Sequence, residues 1–166
     1  MKKHIEPEWN IEEFKNLDYS FADYHDSYEV DLYVSRGHIK ENIGLYKYHE
    51  PNPMPSCVEK YVLTHFNHLD NLAVAVNLFK PGQYLPYHSD VYTRYKEVFD
   101  VGGKTISRTM VMLEDWKPGQ VLCIDKYSYS NWIAGDCYTW HDYEPHTFIN
   151  LSLFDRYALQ ITGTLK

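Results

Sequence analysis

The sequence predicts a mainly β protein, a sandwich or jelly-roll barrel preceded by helical and irregular segments. Short apolar or alternating segments recur from residue 72 onward and are separated by Pro/Gly turns, as in small β barrels. The chain has 16 Tyr among 166 residues, and aromatic residues are enriched in strands. This length fits one domain with its own core. We therefore expect a single domain, 1–166, with decoration over 1–71 and a jelly-roll core over 72–163.

Two helices are predicted in the N-terminal part. Asn10 has a side chain suited to cap a short helix over 10–15. Residues 50–55 carry three prolines, which no helix crosses, and they form a turn cluster. Ser56 then caps a second helix, because apolar residues recur at helical spacing through 57–68.

Six strands are predicted in the C-terminal part, over 72–79, 107–113, 121–125, 137–141, 146–150 and 156–162. Pro118 and Gly119 stand where a type II turn requires them, and residues 133–136 form a second turn. Residues 151–155 are expected to make a hairpin between the last two strands. They are apolar for a free loop, so we expect them to pack against the N-terminal region.

Charge and composition exclude several classes of protein. The formal net charge is −7, which argues against a nucleic-acid binder, since such proteins carry basic patches. No apolar run approaches the ~20 residues of a membrane span. Cys57, Cys123 and Cys137 are odd in number and lie in apolar surroundings, as reduced core cysteines do. With no secretory signal behind the N-terminus, we expect a cytoplasmic protein.

The segment that carries chemistry is Tyr87-His88-Ser89-Asp90. Alternation along a strand puts His88 and Asp90 on one face, which supplies two ligands of a 2-His-1-carboxylate metal site. The third ligand must come from a distant strand, and His141 and His146 both qualify. We favour His146 because it opens an apolar strand, whereas His141 ends a strand beside Asp142.

An arginine follows His146 at ten residues. On one continuous strand the two would lie ~33 Å apart, but a hairpin within 151–155 would bring them to the same end of the barrel. Arg156 there can bind a carboxylate with two hydrogen bonds. A salt bridge with the adjacent Asp155 is the alternative.

Taken together, these residues resemble the 2-oxoglutarate- and Fe(II)-dependent oxygenases. Residues 77–90 look like the approach to the first metal ligand in the prolyl-hydroxylase branch. The stretch from Arg108 through Gly135, His146 and Arg156 to Gly163 is similar to the aspartyl/asparaginyl β-hydroxylase branch. The resemblance covers residues 72–163 and does not extend to 1–71.

The resemblance implies a double-stranded β-helix, that is, a cupin-like jelly roll, with Fe(II) held by His88, Asp90 and His146. It implies that 2-oxoglutarate binds Arg156. Many members have Ser or Thr where this chain has Ala158, so the missing hydroxyl is expected from Tyr84 or Tyr87. The residues expected on the substrate side are Arg108, Tyr87, Tyr92 and Trp140. Arg108 is expected to pair with a substrate carboxylate or with 2-oxoglutarate, and a salt bridge on the strand face is the alternative.

The implied activity is hydroxylation of an unactivated C–H bond with O₂. The substrate would be an amino acid, a peptide side chain or a small metabolite, and neither nucleic acid nor a membrane is expected as a partner. Two alternatives keep the same barrel. One is a cupin-like metal-binding module, and the other is a cupin dioxygenase that does not use 2-oxoglutarate.

Overall fold

The computed structural model of this chain describes residues 2–49 and 51–166. The strands there are β1 Lys2–His4, β2 Ser20–Asp23, β3 Gly44–His49, β4 Leu69–Phe79, β5 Ile106–Met112, β6 Gln120–Ile124, β7 Tyr127–Tyr129, β8 Asp136–His141, β9 His146–Asn150 and β10 Arg156–Leu165. The helices are α1 Ile11–Lys15, α2 Ser27–Ser35, α3 Ser56–His65 and α4 Thr93–Val98, with a 3₁₀ turn over Lys40–Asn42.

The strands form two antiparallel sheets. The large sheet has the order β1-β8-β5-β10-β4-β3-β2, and the small sheet has the order β7-β6-β9. The segment 83–88 extends the small sheet along β9, where the Leu85 N–H donates to the Phe148 carbonyl at 2.9 Å. These two facing antiparallel sheets confirm the predicted jelly-roll class.

The large sheet separates two apolar clusters. Along β10, Tyr157, Leu159 and Ile161 face the cluster that includes α1 and α3. Ala158 faces the second cluster, between the sheets. The alternation follows from the two-residue period of a strand, and it directs every second residue of β10 toward the barrel interior.

The first 71 residues contribute more than the predicted helices and irregular chain. β3 pairs with β4, β2 pairs with β3, and β1 pairs with β8, so all three strands extend the large sheet. β3 was not predicted from the sequence. Lys47 and His49 follow Leu45 on one face of the strand, so the pattern shows no apolar–polar alternation. β4 also begins earlier than predicted, at Leu69 rather than at residue 72.

The two predicted helices are present, with one cap assigned wrongly. The Asn10 side chain accepts a hydrogen bond from the Glu12 N–H at 3.1 Å, as expected for α1. In α3, Ser56 is already the first helical residue and Pro55 occupies the cap position without a side-chain hydrogen bond. The predicted Ser56 cap is therefore wrong. Of the predicted turn cluster, Glu50 lies outside the described residues.

The connection between β9 and β10 corrects two expectations. It is not a hairpin, because β9 pairs with β6 in the small sheet and β10 pairs with β4 and β5 in the large one. It also does not bury its apolar residues, since Leu151 and Leu153 are 70% and 89% exposed. The Asn150 side chain instead fixes the loop, donating to the Phe79 carbonyl at 2.7 Å and to the Phe154 carbonyl at 2.9 Å.

The predicted turn at Pro118-Gly119 is confirmed. Gly119 has a φ of 98°, and the Gln120 N–H donates to the Lys117 carbonyl at 3.1 Å. The three cysteines are unpaired. Within the described ranges, no helix has the length and apolar character to cross a bilayer.

Candidate metal centre

Two histidines and one aspartate converge where the segment 83–88 meets the start of β9. The backbones of His88 and His146 exchange hydrogen bonds of 3.0 and 2.8 Å. Their Nε2 atoms lie 3.8 and 3.4 Å from the two carboxylate oxygens of Asp90. One ligand atom from each residue lies within 4.8 Å of the others, and the group can hold a metal ion. This arrangement matches the ligand set of a 2-His-1-carboxylate site.

Backbone carbonyls orient both imidazoles. The Nδ1 of His88 lies 2.7 Å from the Pro86 carbonyl, and the Nδ1 of His146 lies 3.0 Å from the Glu144 carbonyl. A carbonyl only accepts, so each Nδ1 carries the proton and each Nε2 offers a lone pair. Metal-binding histidines are commonly fixed in this way.

Burial sets the charge of the two histidines, and neighbouring charge sets that of Asp90. It lowers the pKa of His88 and lowers the pKa of His146 to about 4. Both imidazoles are therefore neutral at neutral pH, as ligands must be. Burial alone would raise the pKa of Asp90, but the Arg108 guanidinium holds it below its usual value.

Arg108 positions the Asp90 carboxylate. Its Nη1 donates to the Asp90 Oδ2 at 2.7 Å, and its Nε donates to the Thr162 hydroxyl at 3.0 Å. The ring of Tyr92 lies 4.8 Å from the guanidinium carbon. This bracing leaves the Asp90 Oδ1 free for a metal. Arg108 was expected to contact substrate or co-substrate, and its principal contact here is Asp90.

A cavity of about 140 Å³ opens beside the three ligands. It is much smaller than the ~300–1,000 Å³ of pockets for drug-sized ligands, so it suits a small molecule. Its apolar surface comes from Leu45, Phe79, Leu85, Met110 and Phe148, and its polar surface from Asp23, His25, Lys47, Asn77, Arg108 and Gln160.

The residues predicted on the substrate side are not all brought to this cavity. Trp140 lines it, with its ring 4.4 Å from that of His146, and its Nε1 has no hydrogen-bond partner among the described residues. Tyr92 lies buried behind Arg108. Tyr87 is exposed and donates to the Asp125 carbonyl at 2.9 Å. The Tyr84 hydroxyl is hydrogen-bonded to His38.

Of the two candidates for the third ligand, His146 joins His88 and Asp90 and His141 does not. His141 follows Trp140 on β8, so its side chain leaves the opposite face of the sheet from the Trp140 ring. The backbone N–H of His141 donates to the Glu144 carboxylate at 2.7 Å. The assignment of His146 as a metal ligand remains a prediction, now supported by position.

Arg156 lies deep in the barrel, away from the cavity. It pairs in the sheet with Phe79, which is level with Asn150 at the far end of β9. Four residues of strand separate Asn150 from His146, or ~13 Å. The guanidinium carbon lies 4.3 Å from the Phe148 ring and 4.6 Å from the Trp132 ring. The expectation that Arg156 and His146 share one end of the barrel is therefore wrong.

The structure also shows a cation that sequence reasoning missed. Lys47 lines the cavity from β3, opposite Asn77 on β4. The resemblance did not reach residues 1–71, and β3 was not predicted. The sequence carried one indication of this position. Lys47 is two residues from the apolar Leu45, so on a strand the two side chains share a face.

Comparison with known proteins defines the fold. No protein-family model matches the chain, and no curated protein matches it. Among solved structures, a prolyl-4-hydroxylase from Pseudomonas putida has a TM-score of 0.56 at 14% identity and covers 94% of this chain and 97% of that chain. A putative sugar phosphate isomerase from Acidithiobacillus ferrooxidans has a TM-score of 0.52 at 11% identity, with coverage of 95% and 74%. A predicted oxalate decarboxylase from Thermotoga maritima has a TM-score of 0.50 at 12% identity, with coverage of 91% and 96%.

These likenesses show the fold alone, because every identity is below 15%. The fold is a cupin-like jelly roll, as predicted. Together with the cluster of His88, Asp90 and His146, it defines a jelly-roll protein in which three side chains can hold a metal ion.

We expect the metal-free protein to lose stability as the pH falls from about 6.5 toward 4. An unfolded histidine takes up a proton near its ordinary pKa of ~6.5, whereas His146 resists protonation until about pH 4. The unfolded state binds more protons across this window, so acid favours unfolding, by up to about 3 kcal/mol for this residue. Thermal melting of metal-free protein between pH 7 and 4 measures the effect. His146→Gln should flatten it, and a wild-type melting temperature that stays constant over this range would contradict the assignment.

We expect Arg108→Met to weaken divalent-metal binding by about 10- to 100-fold, the usual loss when a group supporting a metal ligand is removed. The variant keeps the length of the side chain but frees Asp90. Competition for Zn(II) with a chromophoric chelator measures the affinity. Arg94→Met, on exposed α4, is the matched control. Equal metal affinity of Arg108→Met and wild type would show that Asp90 does not need this support.

Proposed function

We propose that this protein is an Fe(II)- and 2-oxoglutarate-dependent oxygenase that hydroxylates an unactivated C–H bond of an amino acid, a peptide side chain or a small metabolite. The observation that carries the proposal is the convergence of two neutral imidazoles and one carboxylate at the edge of a small cavity. Three protein ligands leave coordination positions for a chelating 2-oxo acid and for O₂.

The residues present fit a metal of this kind. His88, Asp90 and His146 would hold it through two Nε2 atoms and the Asp90 Oδ1. When bound, Fe(II) supplies the activation of O₂ that no side chain can provide. Nitrogen and carboxylate ligands suit iron, and the open side distinguishes the arrangement from a closed structural site.

The other residues of the site orient and shield the reaction. Arg108 holds the Asp90 carboxylate, and the backbone carbonyls of Pro86 and Glu144 hold the two imidazoles. Trp140 packs on the His146 ring and restricts its rotation. Leu45, Leu85 and Met110 give the cavity part of its apolar lining.

The part of the proposal that concerns 2-oxoglutarate is supported by the resemblance of residues 72–163 rather than by a contact. Arg156 as the partner of its far carboxylate stays a prediction. This guanidinium has no carboxylate partner among the described residues, and burial lowers its pKa to about 9. A buried cation without an anion is costly, which favours a role in binding one. Phe148, however, stands between it and the cavity.

The test is an anaerobic titration of the Fe(II)-loaded protein with 2-oxoglutarate, followed by the visible metal-to-ligand charge-transfer band. We expect the band to saturate at one equivalent, because the 2-oxo acid chelates the metal through two oxygens. Fe(II) binding without a band would contradict the use of a 2-oxo acid. Failure to bind Fe(II) would remove the metal role of His88, Asp90 and His146.

One observation favours a second candidate, a cupin dioxygenase that binds its substrate directly and does not use 2-oxoglutarate. Phe148 and Phe79 stack with ring centroids 5.5 Å apart and line the cavity, whereas Arg156 packs against both rings and does not line it. For this candidate, the Fe(II)-loaded protein should consume O₂ with a small acid in the absence of any 2-oxo acid. An oxygen electrode makes the distinction.

A further inference from the structure

Lys47 has a position that neither the metal site nor the core explains. It lies on β3, where Tyr46 and Tyr48 face the outer apolar cluster and Leu45 and Lys47 face the interior. A lysine ordinarily extends its ammonium into water. This one is partly buried and lines the same cavity as the three metal-binding candidates.

The Lys47 ammonium has no hydrogen bond or ion pair with any described residue. Burial and, less strongly, the Arg108 guanidinium lower its pKa to about 8, against the Asp90 carboxylate, which raises it. A desolvated charge without a partner is unfavourable. A bound anion would relieve this cost.

The balance of charged side chains around the cavity also favours a bound anion. Arg108 and Asp90 form an ion pair at 2.7 Å and offset each other, so the Lys47 charge is left over on that wall. Asp23 also lines the cavity, but it is exposed, so solvent screens its charge. A divalent metal on the three ligands would add positive charge.

Two residues that line the cavity each carry a buried polar atom without a hydrogen-bond partner among the described residues, the Trp140 Nε1 and the Asn77 Oδ1. Only the Trp140 Nε1 is a donor, so of the two it alone is of the kind that an anion accepts from. The Asn77 amide nitrogen donates to Gln160 at 3.1 Å, which fixes its orientation.

We propose that Lys47 anchors the carboxylate of a small acid held at the metal centre. The inference rests on the proposed metal centre and assigns its anion-binding residue. It places that role on β3, at the cavity wall, whereas Arg156 lies behind the rings of Phe148 and Phe79. The acid is the 2-oxo co-substrate, bound through its far carboxylate, or a carboxylate substrate.

The test measures binding of three small acids to the Zn(II)-loaded protein by isothermal titration calorimetry. The acids are 2-oxoglutarate, 2-oxopentanoate, which lacks the far carboxylate, and glutarate, which lacks the chelating oxo group. The variants are Lys47→Met and Lys47→Arg. Lys104→Met is the matched control, an exposed lysine paired with Asp70. Lys47→Met removes an unpaired charge and keeps the side-chain length, so it should fold, as its melting curve will show.

We expect Lys47→Met to weaken the binding of 2-oxoglutarate by about 10- to 100-fold, the loss typical of a charge-assisted hydrogen bond. Binding of 2-oxopentanoate should stay unchanged, and Lys47→Arg should retain most of the affinity. If Lys47→Met instead weakens only the binding of glutarate, Lys47 anchors a carboxylate substrate. Wild-type affinity of Lys47→Met for both diacids, or no diacid binding by wild type, would overturn the inference. A loss of 2-oxoglutarate affinity in Arg156→Met but not in Lys47→Met would also overturn it.

Failure of the proposed function gives a different result. In that case wild type would show no charge-transfer band with Fe(II) and 2-oxoglutarate, and 2-oxopentanoate would bind no better than pentanoate. Dependence of glutarate binding on Lys47 would persist.

Discussion

His146→Ala should abolish Fe(II) binding, with a loss of affinity greater than 100-fold. The variant removes one of three protein ligands, and the loss should exceed the ~10–100-fold seen when only a supporting group is removed. The Nε2 of His146 lies 3.4 Å from the Asp90 carboxylate, and no other described His, Cys, Asp or Glu completes the cluster. Anaerobic equilibrium dialysis with Fe(II), or Zn(II) competition, measures the affinity.

His141→Ala is the matched control, since it removes the other histidine that the sequence allowed as third ligand. Its side chain leaves β8 on the face opposite Trp140, so metal affinity should stay at the wild-type value. Retained binding in His146→Ala together with lost binding in His141→Ala would transfer the ligand role to His141. Both variants need a melting curve, because His146 is buried against Trp140.

Gly135→Ala should lower the free energy of unfolding by about 3 kcal/mol or more. Gly135 has a φ of 89°, where a side chain costs on the order of 1–3 kcal/mol. An added Cβ would also lie 2.1 Å from the Ile5 carbonyl oxygen. That carbonyl belongs to backbone that is tied to this turn by a 3.0 Å hydrogen bond from the Ile5 N–H to the Gly135 carbonyl. The N-terminal segment would have to move, and overpacking of this kind adds to the backbone strain.

Gly103→Ala separates the two contributions. Gly103 has a φ of 76°, but an added Cβ would meet nothing within 4 Å. It should therefore show the cost of the backbone conformation alone, about 1 kcal/mol. Urea denaturation measures both variants. Equal losses for Gly135→Ala and Gly103→Ala would show that the close approach of the N-terminal segment contributes nothing.

Local patterns predicted the elements that local physics decides. The strand over 146–150 was predicted with its observed bounds, because its apolar residues are bounded by clear turns. Asn10 was correctly read as a helix cap, since a capping side chain acts within three residues of itself. Ser56 was misread because the neighbouring Pro55, with its fixed φ, takes the cap position.

The elements that were missed owe their structure to partners distant in sequence. β3 became a strand by pairing with β4, although its own pattern of Leu45, Lys47 and His49 indicates no buried face. The loop over 151–155 was read as a hairpin because β9 and β10 are consecutive. The chain instead crosses between sheets, a choice that depends on how the barrel closes.

The sequence by itself determined the mainly β class, most of the strands, two candidate metal ligands, His88 and Asp90, and two candidates for the third. It could do so because residues two apart in an extended segment face the same side, although His88 and Asp90 lie in an extended segment with an isolated bridge at His88 rather than in a regular strand. Only the tertiary structure decided that His146 rather than His141 meets them, that Arg156 lies behind Phe148, and that Lys47 faces the cavity. These facts depend on which faces the two sheets turn toward each other, and side chains far apart in the chain meet only when the sheets close on one another.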